Sequence, residues 1–138
     1  MMTREKAREF AARWLPAWTG NRPEALALFY SPDTFYSDPG IPEGVQGREA
    51  LTEYFRKLLA ENPAWVWMQT DSVPMERGFV NKWKAMIPVG AKTLSVTGVC
   101  LVQFDKIGLI ARNEVYFDRT QLVGEIMAFK NRAATTRI

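Results

Sequence analysis

The hydrophobic period of this chain changes once, at Asn62-Pro63, and that change constrains its fold more than any motif does. Before it, apolar residues recur every three or four positions, as on one face of a helix; after it they alternate, as on one face of a strand. Ala7, Phe10, Ala11, Trp14 and Trp18 make an apolar stripe over 3–18. Pro16 falls inside it, where its ring clashes with the carbonyl four residues back, so the last turn must kink or loosen. Gly20-Asn21 stops this helix, and Pro23 opens a short second one carrying Ala25, Leu26, Leu28 and Phe29. Residues 33–38 read as a short strand, ended by Pro39-Gly40 and a loop over 42–44. A third helix over 47–61 carries Leu51, Tyr54, Phe55, Leu58 and Leu59. Alternation then predicts strands over 64–73, 79–89, 92–104 and 109–117, joined by short turns and therefore an antiparallel meander. The tail is weakly patterned: a short helix over 121–128 and disorder over 133–138 are expected. Three helices followed mostly by strands give an α+β domain.

With 138 residues, 47% of them hydrophobic, one domain over 1–138 is expected, with its core at about 5–125 and a tail at 126–138. No apolar run approaches the roughly 20 residues that span a bilayer. Residues 1–10 lack the apolar stretch of a secretory signal, so a cytoplasmic location is the default expectation and no membrane partner is foreseen. The 18 basic and 15 acidic residues leave a net charge of +3, scattered along the chain. A nucleic-acid binder concentrates such charge in a stripe, and none is present, so no nucleic-acid partner is expected. Cys100 stands alone, which leaves no internal disulfide and no metal-ligand spacing. Histidine is absent. That removes histidine-based nucleophilic catalysis and the commonest metal ligand, leaving Asp, Glu, Tyr, Lys, Cys or water to move protons. Neither a metal nor a cofactor is expected.

The order of elements resembles the nuclear transport factor 2-like superfamily, in particular its SnoaL-like polyketide cyclase and ketosteroid isomerase branches. The resemblance is carried by Arg13-Trp14-Leu15-Pro16-Ala17-Trp18, the stretch 25–30, Phe35-Tyr36-Ser37-Asp38-Pro39, Gln46-Gly47-Arg48-Glu49-Ala50-Leu51 and Val115-Tyr116-Phe117-Asp118. It covers roughly 5–125. It implies a cone-shaped, curved, mostly antiparallel sheet wrapped around three N-terminal helices, with a small-molecule ligand in the wide end.

On that resemblance Trp83, Ala85 and Ile87 point inward, as do Gly98, Cys100, Val102 and Phe104. It also turns Arg112, Glu114, Tyr116 and Asp118 of the last strand into the cavity. Residue pattern alone reads that strand the other way, with its polar parity to water and Leu109, Ala111, Val115 and Phe117 to the core. Asp38 matches the general-base aspartate of the isomerases, and a carboxylate beside an apolar cavity makes a usable base. Asp-Pro-Gly is equally ordinary turn chemistry, in which the carboxylate accepts from nearby backbone amides. Asp118 resembles the acid/base aspartate of the cyclases, with Tyr116 two residues earlier able to hydrogen-bond the same ligand and Arg112 oriented toward an anionic one. Asp118 is equally placed to cap the tail helix.

The isomerase oxyanion hole, a tyrosine and a protonated aspartic acid, is replaced at the matching positions by Trp14 and Cys100, which tells against a steroid isomerase of the familiar type. The strand over 95–101 carries neither charge of the Asp-Arg-Asp set of the epoxide-hydrolase relatives. Trp14, Trp18, Phe55 and Trp83 are expected either to wall the pocket or to pack as plain core. Trp65 and Trp67 share a parity expected on the outer face of the sheet, where a homodimer would cover them. Two functions remain open: a cofactor-independent acid/base enzyme of isomerase, cyclase or lyase type on a hydrophobic cyclic or polyketide-like substrate, or a non-catalytic ligand-binding or dimeric accessory domain.

Overall fold

A computed structural model describes residues 1–136. Helix α1 (Arg4–Trp14) starts on Thr3, whose hydroxyl accepts from the Lys6 amide at 3.1 Å. It buries Ala7, Phe10, Ala11 and Trp14. Pro16 cannot continue the α ladder, so the chain tightens into a 3₁₀ turn over Leu15–Trp18. Arg22 Nη2 then donates to the Pro16 carbonyl at 2.9 Å. Helix α2 (Pro23–Ala27) follows, and α3 (Arg48–Glu61) buries Leu51, Phe55 and Leu59.

Six strands form one curved, unclosed sheet in the order β2-β1-β6-β5-β4-β3. They are β1 (Tyr30–Asp38), β2 (Ile41–Gln46), β3 (Val66–Met75), β4 (Gly78–Val89), β5 (Lys92–Phe104) and β6 (Ile110–Tyr116). The expected meander β3–β6 is present, and β1 joins its far side parallel to β6. Strand β2 was expected as loop. Pro42 and Gly44 sit in it because it is an edge strand, where a missing N–H costs no ladder bond. Gly44, at φ 90°, lies under the Phe35 ring, where a β-carbon would stand 2.3 Å from ring atoms.

Register settles which parity faces the helices. Trp83, Ala85 and Ile87 are buried as expected, and Trp83 lies over Gly98, where a β-carbon would come within 2.4 Å of the indole. Cys100 pairs with Val115 and Val102 with Asn113, so β6 turns Asn113 and Val115 inward. Arg112, Glu114 and Tyr116 therefore face outward, against the expectation from the family and in line with the residue pattern. Trp65 and Trp67 also differ from expectation: they face inward, with Trp67 packing on Trp18 at 5.7 Å, while Val66, Met68 and Val73 occupy the outer face.

Helix α4 (Thr120–Thr136) is longer than the expected 121–128 and takes in 133–136, which had been expected disordered; 137–138 lie outside the described residues. Leu122 is buried against the core, and Lys92 pairs with Glu125 at 3.3 Å.

Candidate functional site: a tryptophan-lined cavity with a carboxylate at its rim

Between α1, α3, α4 and the concave face of the sheet lies a cavity of about 250 Å³. All five tryptophans of the chain line it: Trp14, Trp18, Trp65, Trp67 and Trp83. Their packing is edge-to-face or tilted, with Trp14 and Trp18 6.0 Å apart and Trp83 5.5 Å from Phe117. Phe55 is not part of the wall. It is fully buried behind it, edge-on to Trp18 at 5.1 Å and to Tyr36 at 5.4 Å. An apolar hollow with few polar groups is the usual form of a small-molecule site.

The polar groups lie at two depths. Asp38 stands at the rim, where β1 ends, and its carboxylate is held from several sides. Tyr36 Oη donates to Oδ2 at 2.8 Å, and Tyr54 Oη lies 2.9 Å from Oδ1 and 2.8 Å from Oδ2. The amides of Gly40 and Ile41 donate to Oδ1 at 2.7 and 3.1 Å. Asp38 thus also performs the turn chemistry that its Asp-Pro-Gly context implies. Burial first, then the neighbouring Asp38, pushes the Tyr54 phenol well up, so it stays protonated and is a donor. Arg119 also lines the cavity near this rim.

Deeper in, Trp14 Nε1 is a buried donor with no acceptor; its approach to the Tyr30 oxygen falls outside hydrogen-bond geometry. Cys100 lines the cavity beside Asn81 and Asn113. Burial pushes its thiol up to about 12, with the two asparagine side chains pulling the other way, so it is neither a thiolate nor a nucleophile at neutral pH.

Arg112, Glu114, Tyr116 and Asp118 are brought together in a second depression on the outer face with Phe35 and Pro42, and Asp38, Val115 and Phe117 border both hollows. The Arg112 guanidinium lies 4.4 Å from the centre of the Phe35 ring and 3.2 Å from Glu114 Oε2. Tyr116, 55% exposed, donates to Glu114 at 3.2 Å. Asp118 accepts from the Thr120 amide at 2.9 Å and caps α4. None of the four reaches the tryptophan-lined cavity. Tyr116 and Asp118, expected to act on its ligand, are carried by the strand parity that points away from it, and they share the outer depression with Asp38.

Tyr36, Tyr54 and Arg119 were missed. A signal existed for Tyr36, which shares a strand face with Asp38 two residues on. Tyr54 was hidden within the apolar stripe of α3. Among the described residues, no cluster of His, Cys, Asp or Glu has the makings of a metal site, and no helix is long and apolar enough to cross a membrane.

Comparison with known proteins agrees with this geometry. The sequence profile of the SnoaL-like domain matches residues 11–113. A steroid Δ-isomerase of Nocardioides simplex is 26% identical over 106 residues, spanning 77% of this chain and 85% of the relative. Among solved structures, a hypothetical protein with a ketosteroid isomerase-like fold from Catenulispora acidiphila, in complex with trimethylamine, superposes with a TM-score of 0.73. It is 19% identical and the match covers 85% of this chain and 91% of that one, a likeness of fold.

Proposed function

Because the chain belongs to the SnoaL-like domain family, within the nuclear transport factor 2-like superfamily and with a ketosteroid isomerase-like fold, we propose that it is a cofactor-independent acid/base enzyme of isomerase or cyclase type. Its substrate is a hydrophobic cyclic or polyketide-like molecule that carries a carbonyl. The observation behind this is the placement of the Asp38 carboxylate at the rim of a hollow lined by five tryptophans. An aromatic wall of this kind takes up a flat apolar body, and the carboxylate is the group that removes or returns a proton on it. The steroid isomerase relative is in keeping with such a body. The test is hydrogen–deuterium exchange of the α C–H groups of bicyclic ketones in D₂O, followed by proton NMR. Asp38→Asn should lose about 10²–10⁴-fold in rate over that set. An unchanged rate removes the reading.

One observation favours a second reading, a ligand-binding domain without chemistry. Two backbone amides and two phenols already donate to Asp38, which fills the roughly four acceptor sites of a carboxylate. On that reading ketones bind without exchange, and Asp38→Asn leaves affinity alone.

Assembly as a homodimer through the outer face of the sheet belongs to the same proposal. Val66, Met68, Val73 and Tyr116 are 43–55% exposed on strands β3 and β6 of that face. Sedimentation equilibrium reads the mass, and Met68→Lys with Val73→Lys should lower it to that of one chain.

A further inference from the structure

Four aromatic rings form a row along one side of the cavity and end on Asp38. Trp65 lies 5.8 Å from Trp67, Trp67 lies 5.7 Å from Trp18, and Trp18 lies 6.1 Å from Tyr36, whose hydroxyl donates to Asp38. Neighbouring rings in the row are inclined by 46°, 48° and 36°, so they fan out along the wall and do not stack face on face. Trp14 and Trp83, 1% and 4% exposed, stand deeper in the same wall. The face of an indole carries the negative side of the ring quadrupole and attracts a cation more strongly than the ring of Tyr or Phe does.

The charged groups of the wall point to the same kind of ligand. Among the described residues that line it, Asp38 and Glu61 are negative and Arg119 is positive, which leaves an excess of negative charge. All three meet around Tyr54: its hydroxyl bonds Asp38, and Glu61 and Arg119 both act on its phenol. None of the three has an ion pair among the described residues. Asp38 narrows the choice further. Two amides and two phenols fill its acceptor positions, but they do not neutralise its charge. A group that approaches it gains from the charge and finds no lone pair for an N–H. The head that fits is an ammonium nitrogen without hydrogens, which is not strongly hydrated as a primary ammonium is. A hollow of about 250 Å³ is small for a ligand site, so the body attached to this head is compact.

We propose that the cavity takes an organic cation: a compact apolar body bearing a fully alkylated ammonium nitrogen, with the charge beside Asp38 and Glu61 at the rim and the body among the indoles. The proposal rests on the cavity as the ligand site of the reading above, and not on proton transfer there. A carbonyl elsewhere on the same body is compatible with it.

The test compares phenyltrimethylammonium with tert-butylbenzene, which has the same shape and lacks the charge, by ligand-observed NMR titration. The cation should bind about tenfold tighter or more. Arg119→Gln should tighten the cation several-fold and Glu61→Gln should weaken it several-fold. Neither should move the neutral isostere, since only a charge senses these residues. The ring faces are read separately, in protein whose five tryptophans carry one, two or more fluorine atoms on the indole. Affinity for the cation should fall stepwise as fluorine drains the ring face. Binding of tert-butylbenzene, which also reports an intact fold, should stay level. Equal affinity for the two ligands, or a cation affinity that ignores fluorine, overturns the proposal and leaves a plain apolar cavity. If neither ligand binds, the proposal falls as well, and exchange of the ketones, which carry no charge, decides the acid/base reading independently.

Discussion

Tyr30 Oη donates to Asn113 Oδ1 at 2.8 Å, both side chains fully buried, and so ties the first residue of β1 to the middle of β6. The two strands are parallel neighbours 83 residues apart in sequence. Asn113 in turn donates to the Leu101 carbonyl at 3.2 Å, which extends the tie to β5. The far wall of the cavity depends on this junction, because Val115 and Phe117 continue the same face.

Tyr30→Phe should therefore destabilise the fold by about 1–3 kcal/mol, the penalty for leaving a buried acceptor without its donor. Urea denaturation reads the change. Replacing both partners, Tyr30→Phe with Asn113→Leu, should cost less than the sum of the single changes, since neither partner of this bond is then stranded. Strict additivity would show that the bond contributes nothing.

The same junction explains how far the sequence could be read. The single change of hydrophobic period located the three helices and the meander, and Pro16 and Gly98 meant structurally what proline and glycine usually mean. The last strand was different. Its residue pattern placed Val115 and Phe117 inside, which is where they are, but Asn113 on that same face is polar and was not read. Only its distant partner Tyr30 makes a buried asparagine sensible there, and period-two reasoning carries no information about a partner 83 residues away. Asp38 was legible because it ends a strand before Pro39-Gly40. Arg119 and Tyr54 were not, since they meet it only through the packing of α3 and the start of α4 against the sheet.

Cys100 offers a separate check on the closed packing of the cavity's deep end. With its thiol buried and pushed up to about 12, almost no thiolate exists near neutral pH. A thiol reagent added to the folded protein at pH 8 should react at a rate that does not depend on reagent concentration at high reagent, because opening of the structure limits it. Reaction as fast as that of a free cysteine would mean that the deep wall is open to solvent.

Asp118 caps α4 through the Thr120 amide, and pH reads that role. Its carboxyl is held below the ordinary value of 3.8 by the Thr120 hydroxyl and then the Thr120 amide. A lowered folded value means that the stabilisation is complete above the unfolded pKa and is lost as pH falls through the folded one. Protection of the amides at the start of α4, relative to their intrinsic exchange rates, should fall as the pH drops below about 4, and Asp118→Asn should flatten that dependence. Ketone exchange in Asp118→Asn should match wild type; a large loss would restore this aspartate to the chemistry.

Access to the cavity should be governed by α4. The helix puts Leu122, Val123 and Ile126 into the cavity wall. Further along, it is fastened by the exposed Lys92–Glu125 pair and by the Phe129 ring, which lies on Gly90 in the turn between β4 and β5; a β-carbon on Gly90 would come within 2.8 Å of that ring. An exposed ion pair contributes little, at most about 1 kcal/mol, so the ring contact is the stronger of these two. A surface helix of this kind opens locally at smaller cost than global unfolding. Phe129→Ala should then raise the stopped-flow association rate of N-phenyl-1-naphthylamine, read by energy transfer from the cavity tryptophans, several-fold. Dissociation should rise in step, because the contact that is lost touches no ligand and affects only the barrier. Global stability should change less than the rate does, since Phe129 is 42% exposed. Unchanged association and dissociation rates in Phe129→Ala would mean that the ligand enters past another element and that α4 is a fixed wall.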